Sequence, residues 1–135
     1  MKILIIDDDP AGVEILEMIL APTQATVRHA CNGEVGILMA KEFDPNLILL
    51  DYMLPGIDGL QTTRSLRKFT RAPIMVLSVL DDPAVLARVL DEGADDYLIK
   101  PVARETLLAH VNNLVRRAAL LKKERPSLQV SLQSI

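Results

Sequence analysis

The sequence has no tryptophan, two tyrosines, two phenylalanines and a single cysteine. None of its apolar runs approaches the roughly 20 residues needed to span a bilayer. One cysteine, Cys31, rules out an internal disulfide framework and fits a reducing compartment. With so few aromatic rings and a net charge of −3, direct nucleic-acid binding by this chain is not expected, since that needs basic groups and stacking surfaces. The opening Met1-Lys2-Ile3-Leu4-Ile5-Ile6-Asp7 reads as a short strand; a secretory leader would need a longer apolar region and a small-residue cleavage site. Internal repeats and low-complexity tracts are missing too. The expectation is a cytoplasmic protein without membrane attachment, whose 135 residues fit one domain with a proper core.

What is there is a recurrence. Ile3–Ile6 runs into Asp7-Asp8-Asp9, Leu47–Leu50 into Asp51, Ile74–Leu77 into Ser78, and Tyr97–Ile99 into Lys100-Pro101. A weaker strand is expected over Ala25–Ala30. Amphipathic segments alternate with these runs. Asp9-Pro10 and Asp82-Pro83 each supply an N-cap carboxylate followed by proline where its missing N–H costs nothing. Val13, Leu16 and Leu20, then Val85, Leu86, Val89 and Leu90, continue at helical spacing. Asn32-Gly33 precedes a short helix, Pro55-Gly56-Ile57-Asp58-Gly59 forms a turn, and Gly93 ends a helix. Leu107, Leu108, Val111, Leu114, Val115 and Ala118 mark the last one. Five βα units imply right-handed crossovers and a doubly wound α/β domain, its parallel sheet covered on both faces. Ligands in such sheets bind at the carboxyl ends of the strands, which is where these acids and the lysine fall.

Three acids at neighbouring strand ends repel one another unless a cation or a raised pKa relieves them. Carboxylate oxygens without His or Cys select Mg²⁺ or Mn²⁺ over zinc. A hard cation and an ammonium beside a carboxylate suit phosphoryl chemistry, with the carboxylate as nucleophile.

Asp7-Asp8, the segment Leu49–Gly59 around Asp51, Ser78, and Gly93-Ala94-Asp95-Asp96-Tyr97-Leu98-Ile99-Lys100-Pro101 together resemble the receiver domain of two-component response regulators. Each motif is modest alone, but all four in the right order are highly specific. The resemblance runs from Lys2 to about Arg117 and implies a flavodoxin-like sheet of order 2-1-3-4-5. It implies that Asp51 accepts a phosphoryl group from a sensor histidine kinase. Asp8 and Asp51 would ligate Mg²⁺ directly, Asp7 through water, and Met53 through its backbone carbonyl. Lys100 would pair with the acyl phosphate, Ser78 and Tyr97 would be the switch residues, and the Lys100-Pro101 peptide would be cis. Residues 1–121 would be the receiver, and 122–135 a tail or linker towards a possible effector domain. Pro126 is expected to stop the last helix, and the alternation of Leu128, Val130 and Leu132 with polar residues suggests a linker or strand.

Many regulators of this family that carry winged-helix DNA-binding domains form a homodimer through charged pairs on the fourth helix, fifth strand and fifth helix. Glu92, Asp95, Asp96 and Arg117 keep part of that charge pattern, whereas Leu86, Thr106 and His110 depart from it. Val102 and Val79 also replace the usual residues after Lys-Pro and after the switch hydroxyl. Met53 and Leu80 lie two positions beyond Asp51 and Ser78, where side chains influence the hydrolytic water; both are apolar, so slow autodephosphorylation is expected. Asp95-Asp96 otherwise read as a polar turn, Cys31 as a small near-core residue, and His29 and His110 as surface residues.

The runner-up is a small Mg²⁺-dependent phosphohydrolase of the haloacid dehalogenase type. Asp7 would be its nucleophile, with Asp9, Ser78, Lys100 and Asp95-Asp96 imitating the remaining motifs; Asp51 would then have no role. A pseudo-receiver that only binds partners is a third reading, opposed by the complete set of acids, hydroxyl and lysine.

Overall fold

Each expected strand forms. In the computed structural model, which describes residues 1–133 and side chains through residue 121, the strands are β1 (Lys2–Ile6), β2 (Thr26–Ala30), β3 (Leu47–Asp51), β4 (Ile74–Ser78) and β5 (Asp96–Ile99). The helices are α1 (Pro10–Leu20), α2 (Gly33–Phe43), α3 (Gly59–Arg67), α4 (Pro83–Asp91) and α5 (Arg104–Gln133), with a 3₁₀ turn over Ala21–Thr23. The strands form one parallel sheet in the order β2-β1-β3-β4-β5.

Period-two alternation divides the core. Ile3, Ile5, Leu47, Leu49, Met75 and Leu77 pack beneath α1 and α5, with Val13, Leu107 and Val111. Leu4, Ile6, Ile48, Leu50, Ile74 and Val76 face the other way, against α2, α3 and α4, with Phe43, Leu66 and Val89. The central strands are therefore apolar at every position until their last residue, as expected for a sheet covered on both faces.

The helix starts follow the caps. Asp9 and Asp82 accept from the N–H groups of Ala11 and Ala84, and Asn32 accepts from Val35. Asp58 and Gln61 form a reciprocal capping box at the start of α3. The preceding loop closes where the Gly59 N–H donates to the Tyr52 carbonyl at 2.9 Å. A Cβ at Gly59 would lie 2.6 Å from the Tyr52 Cα, a backbone atom that cannot swing aside. Gly59→Ala is accordingly expected to destabilise the fold by about 1–3 kcal/mol, in the range of overpacking. The urea midpoint checks this, and an unchanged midpoint would contradict the close approach.

The last helix corrects one expectation. α5 is continuous to Gln133, so it does not stop at Pro126, and the alternating segment from Leu128 is helical rather than extended. A period-two pattern makes a strand only where a sheet edge offers partners. Among the described residues no sixth strand joins the sheet, whereas a helix satisfies most of its backbone groups internally.

Candidate functional site

The sheet register brings the polar strand ends to one edge. β1 ends beside β3, β3 beside β4, and β4 beside β5, with Asp51 opposite Leu77 and Ser78 opposite Ile99. Asp7 and Asp51 prolong the residue parity that faces α1 and α5, and Lys100 shares the parity of Leu98, which packs on that same side. Carboxylate oxygens of Asp7, Asp8 and Asp51 lie within 4.8 Å of one another. The Lys100 Nζ stands 3.6 Å from Asp51 and 3.7 Å from Asp7. Asp7 and Asp51 are buried, at 2% and 8% exposure, while Asp8 is exposed.

Three carboxylates thus meet one ammonium. Burial raises the pKa of Asp51 above its ordinary 3.8; Lys100 and the Met53 N–H, which donates to Asp51 at 3.2 Å, oppose the shift, and Asp7 and Asp8 reinforce it. The excess negative charge and the all-oxygen donor set fit a hard divalent cation such as Mg²⁺. Asp9 stands apart as the cap of α1, and its own N–H donates to Asp7 at 2.9 Å.

Ser78 and Tyr97 occupy the opposite parity. Ser78 is fully buried and its Oγ accepts from the Leu80 N–H at 3.1 Å. The Tyr97 ring packs on the α2–α4 side, and its hydroxyl donates to the Leu80 carbonyl at 2.8 Å. Both candidate switch residues therefore hold the same loop residue, outside the acid cluster. The Lys100-Pro101 peptide is cis, and the Lys100 N–H donates to the Ser78 carbonyl at 2.8 Å.

Asp95 and Asp96 are not in the cluster. They lie where β4 and β5 begin, at the far edge of the sheet, Asp95 accepting from the Ile74 N–H at 2.9 Å. A phosphohydrolase built on Asp7 would need them beside Lys100.

The family model described as "Response regulator receiver domain" matches residues 3–112. The chain belongs to the response regulator receiver family. It is 39% identical over 116 residues to the transcriptional regulatory protein AfsQ1 of Streptomyces coelicolor, covering 86% of this chain and 52% of that protein. To the DNA-binding response regulator MtrA of Mycolicibacterium smegmatis it is 32% identical over 134 residues, covering 99% of this chain and 57% of that one. Among solved structures, a two-component response regulator from Clostridium difficile superposes with a TM-score of 0.83 at 32% identity, over 87% of this chain and 97% of that one. The BeF3-activated N-terminal receiver domain of Klebsiella pneumoniae RstA gives 0.82 at 32% identity, over 86% and 99%. The chain spans about half the length of the curated relatives it matches. As a receiver domain it serves in signalling rather than as a free-standing enzyme on an external substrate. Among the described residues, no helix is long and apolar enough to cross a membrane.

Several side chains have partners that spacing did not disclose. Cys31 is exposed rather than near-core. His29 donates through Nε2 to the Asp7 carbonyl at 2.9 Å, tethering the turn that carries the acids. His110 is half-buried, with Nδ1 2.5 Å from Asp96. Glu92 and Asp95 pair with Arg64 and Arg67 of α3. All three acids that suggested intermolecular pairing therefore have partners within the chain. The i, i+3 arginines on α3 were a visible signal, but nothing in sequence separates an inward arginine from a solvated one.

Proposed function

We propose that this receiver accepts a phosphoryl group on Asp51 from the phosphohistidine of a sensor histidine kinase. The observation that carries the reading is a buried Asp51 carboxylate between two further acids and the Lys100 ammonium. A carboxylate oxygen of Asp51 attacks phosphorus, the phosphorus–nitrogen bond breaks, and the donor imidazole leaves with its electron pair. Asp8 and Asp51 would hold Mg²⁺ directly, Asp7 through water, and Met53 through its carbonyl. Bound there, the cation neutralises phosphoryl oxygen charge. Lys100 supplies the second positive charge. Catalysis is limited to the domain's own phosphorylation and dephosphorylation.

The donor must reach this edge across an apolar rim. A cleft of about 320 Å³ opens beside Asp7 and Lys100, lined by Ile15, Ile19, Val79 and Val102. Exposed Ile15 and Val79 there give a kinase or phosphotransfer protein apolar surface to cover.

The new anion then recruits the Ser78 hydroxyl and neighbouring N–H groups. Moving a two-state equilibrium from 1:99 to 99:1 takes about 5.5 kcal/mol, and charge-assisted hydrogen bonds contribute about 1.5–3 kcal/mol each. Two or three contacts suffice. Drawing Ser78 inward withdraws the acceptor of the Leu80 N–H and loosens the loop held by Tyr97. The readout is the surface formed by α4, β5 and α5; a homodimer there would have to form without Glu92, Asp95 and Asp96, which pair within the chain. Because the relatives include DNA-binding regulators, residues 1–121 would act as the cytoplasmic input domain. Residues 122–135 would lead towards an effector.

Incubation with acetyl phosphate and Mg²⁺, read by intact mass, is expected to add one phosphoryl group. No gain, or an equal gain with a chelator present, would refute the reading. The adduct should also be long-lived. Met53 is 55% exposed beside the acids, and neither it nor Leu80 can orient a hydrolytic water. After removal of acetyl phosphate the mass gain should decay over minutes or longer, and Met53→Asn should shorten it; decay of the wild type within seconds would contradict this.

A further inference from the structure

Two arginines of α3 converge on one end of α4. Arg64 grips Glu92 with two nitrogens, 3.0 and 2.6 Å from its carboxylate oxygens. Arg67, one turn later, donates to the Gly93 carbonyl at 2.8 Å, to the Thr70 and Ala72 carbonyls at 3.2 and 2.6 Å, and to Asp95 at 2.7 Å. The same Asp95 oxygen accepts from the Ile74 N–H, so the α4–β5 turn is tied to the start of β4. Gly93 has a φ of +115°, and a Cβ there would sit 2.7 Å from the Arg67 Cγ. The turn and the guanidinium are thus fitted to each other.

The other end of α4 is held differently. The Leu80 carbonyl accepts from the Tyr97 hydroxyl, and the Leu80 N–H donates to Ser78. Among the described residues no ion pair reaches residues 79–90. Charge-assisted bonds are roughly twice as strong as neutral ones. Translation of α4 would break the arginine bonds to Glu92, Gly93 and Asp95, whereas tilting about that end keeps them and releases the two neutral bonds to Leu80, with Val85 sliding on the core.

We propose that residues 92–95 are a fixed pivot, clamped by Arg64 and Arg67, about which the Leu80 end of α4 swings when Ser78 engages a phosphoryl oxygen. This rests on the reading of Asp51 as phosphoacceptor and Ser78 as switch hydroxyl. Nine residues of helix span about 13 Å, so a tilt of roughly 10° moves the far end by about 2 Å. A partner that distinguishes the two states must then contact the first half of α4, near Leu86, and not the Glu92 end.

Amide hydrogen exchange on the whole chain, with and without acetyl phosphate and Mg²⁺ and with the adduct followed by intact mass, tests this. In the wild type, exchange over residues 79–86 should change about tenfold or more, and at residues 92–95 and Ile74 by less than about twofold. In Arg67→Lys and Arg64→Gln the response should spread into residues 92–95. Should Arg67→Lys fail to fold, Arg64→Gln and Glu92→Gln, at an exposed pair, carry the comparison. Equal responses at both ends of α4 in the wild type overturn the pivot, as does an unaltered pattern in the variants. A missing adduct, or an adduct with no amide response anywhere, instead overturns the reading on which the pivot rests.

Discussion

Asp51→Asn is expected to abolish phosphoryl uptake while leaving the protein folded and more stable at neutral pH. The amide keeps the shape of the carboxylate but has no nucleophilic oxygen to form a mixed anhydride. It also removes a charge from a place that disfavours it. Burial, aided by Asp7 and Asp8, lifts the folded pKa of Asp51 above 3.8, against Lys100 and the Met53 N–H. A group whose folded pKa is raised contributes stability that is fully present below its unfolded value and lost as the pH rises through the folded one. The asparagine variant should therefore exceed the wild type above that folded pKa, and the advantage should close below pH 3.8. Each 1 kcal/mol of gain raises Tm by about 3–5 °C for a domain of this size. Melting in metal-free buffer at neutral and acid pH, with intact mass after acetyl phosphate treatment, reads both effects. Undiminished mass gain in the variant would move the nucleophile to another acid, Asp7 first.

Lys100→Gln should give the second-largest effect, in opposite directions for two observables. The ammonium is 3.6 Å from Asp51 and 3.7 Å from Asp7, and among the described residues it is the one cation at the three carboxylates. Removing a preorganised positive group from a developing phosphoryl charge slows such reactions by roughly 10²–10³. The same removal leaves the carboxylates without their internal counter-ion, so Mg²⁺ should bind more tightly. Slower adduct formation together with a lower Mg²⁺ midpoint, by calorimetry or fluorescence titration, is the expected pair of results. Weaker Mg²⁺ binding in the variant would show that Lys100 organises the acids rather than competing with the ion.

How much of this was legible in the sequence follows from where the physics is local. The strand ends at Asp7, Asp51, Ser78 and Lys100 were readable because a doubly covered strand has no reason to turn polar until it leaves the core. The caps at Asp9 and Asp82 likewise depend only on neighbouring residues. What escaped were the pairings away from that edge: Arg67 with Asp95, Arg64 with Glu92, His110 with Asp96. Those depend on which helix face turns inward, and polar residues on a helix give no such direction. The alternation after Leu128 misled for the complementary reason, since its period is strand-like but among the described residues no sheet edge pairs with it.

The odd–even division of the sheet has an evolutionary consequence. Asp7, Asp51 and Lys100 point to the layer of α1 and α5, while Tyr97 points to that of α4, one backbone thickness away. If the donor docks on the rim of Ile15 and Val102 and the reader near Leu86, as proposed, a duplicated copy could change the first and leave the second untouched. The reverse change, at Leu86 on the opposite side, would be equally free. Rewiring such a pathway needs only one side of the molecule at a time.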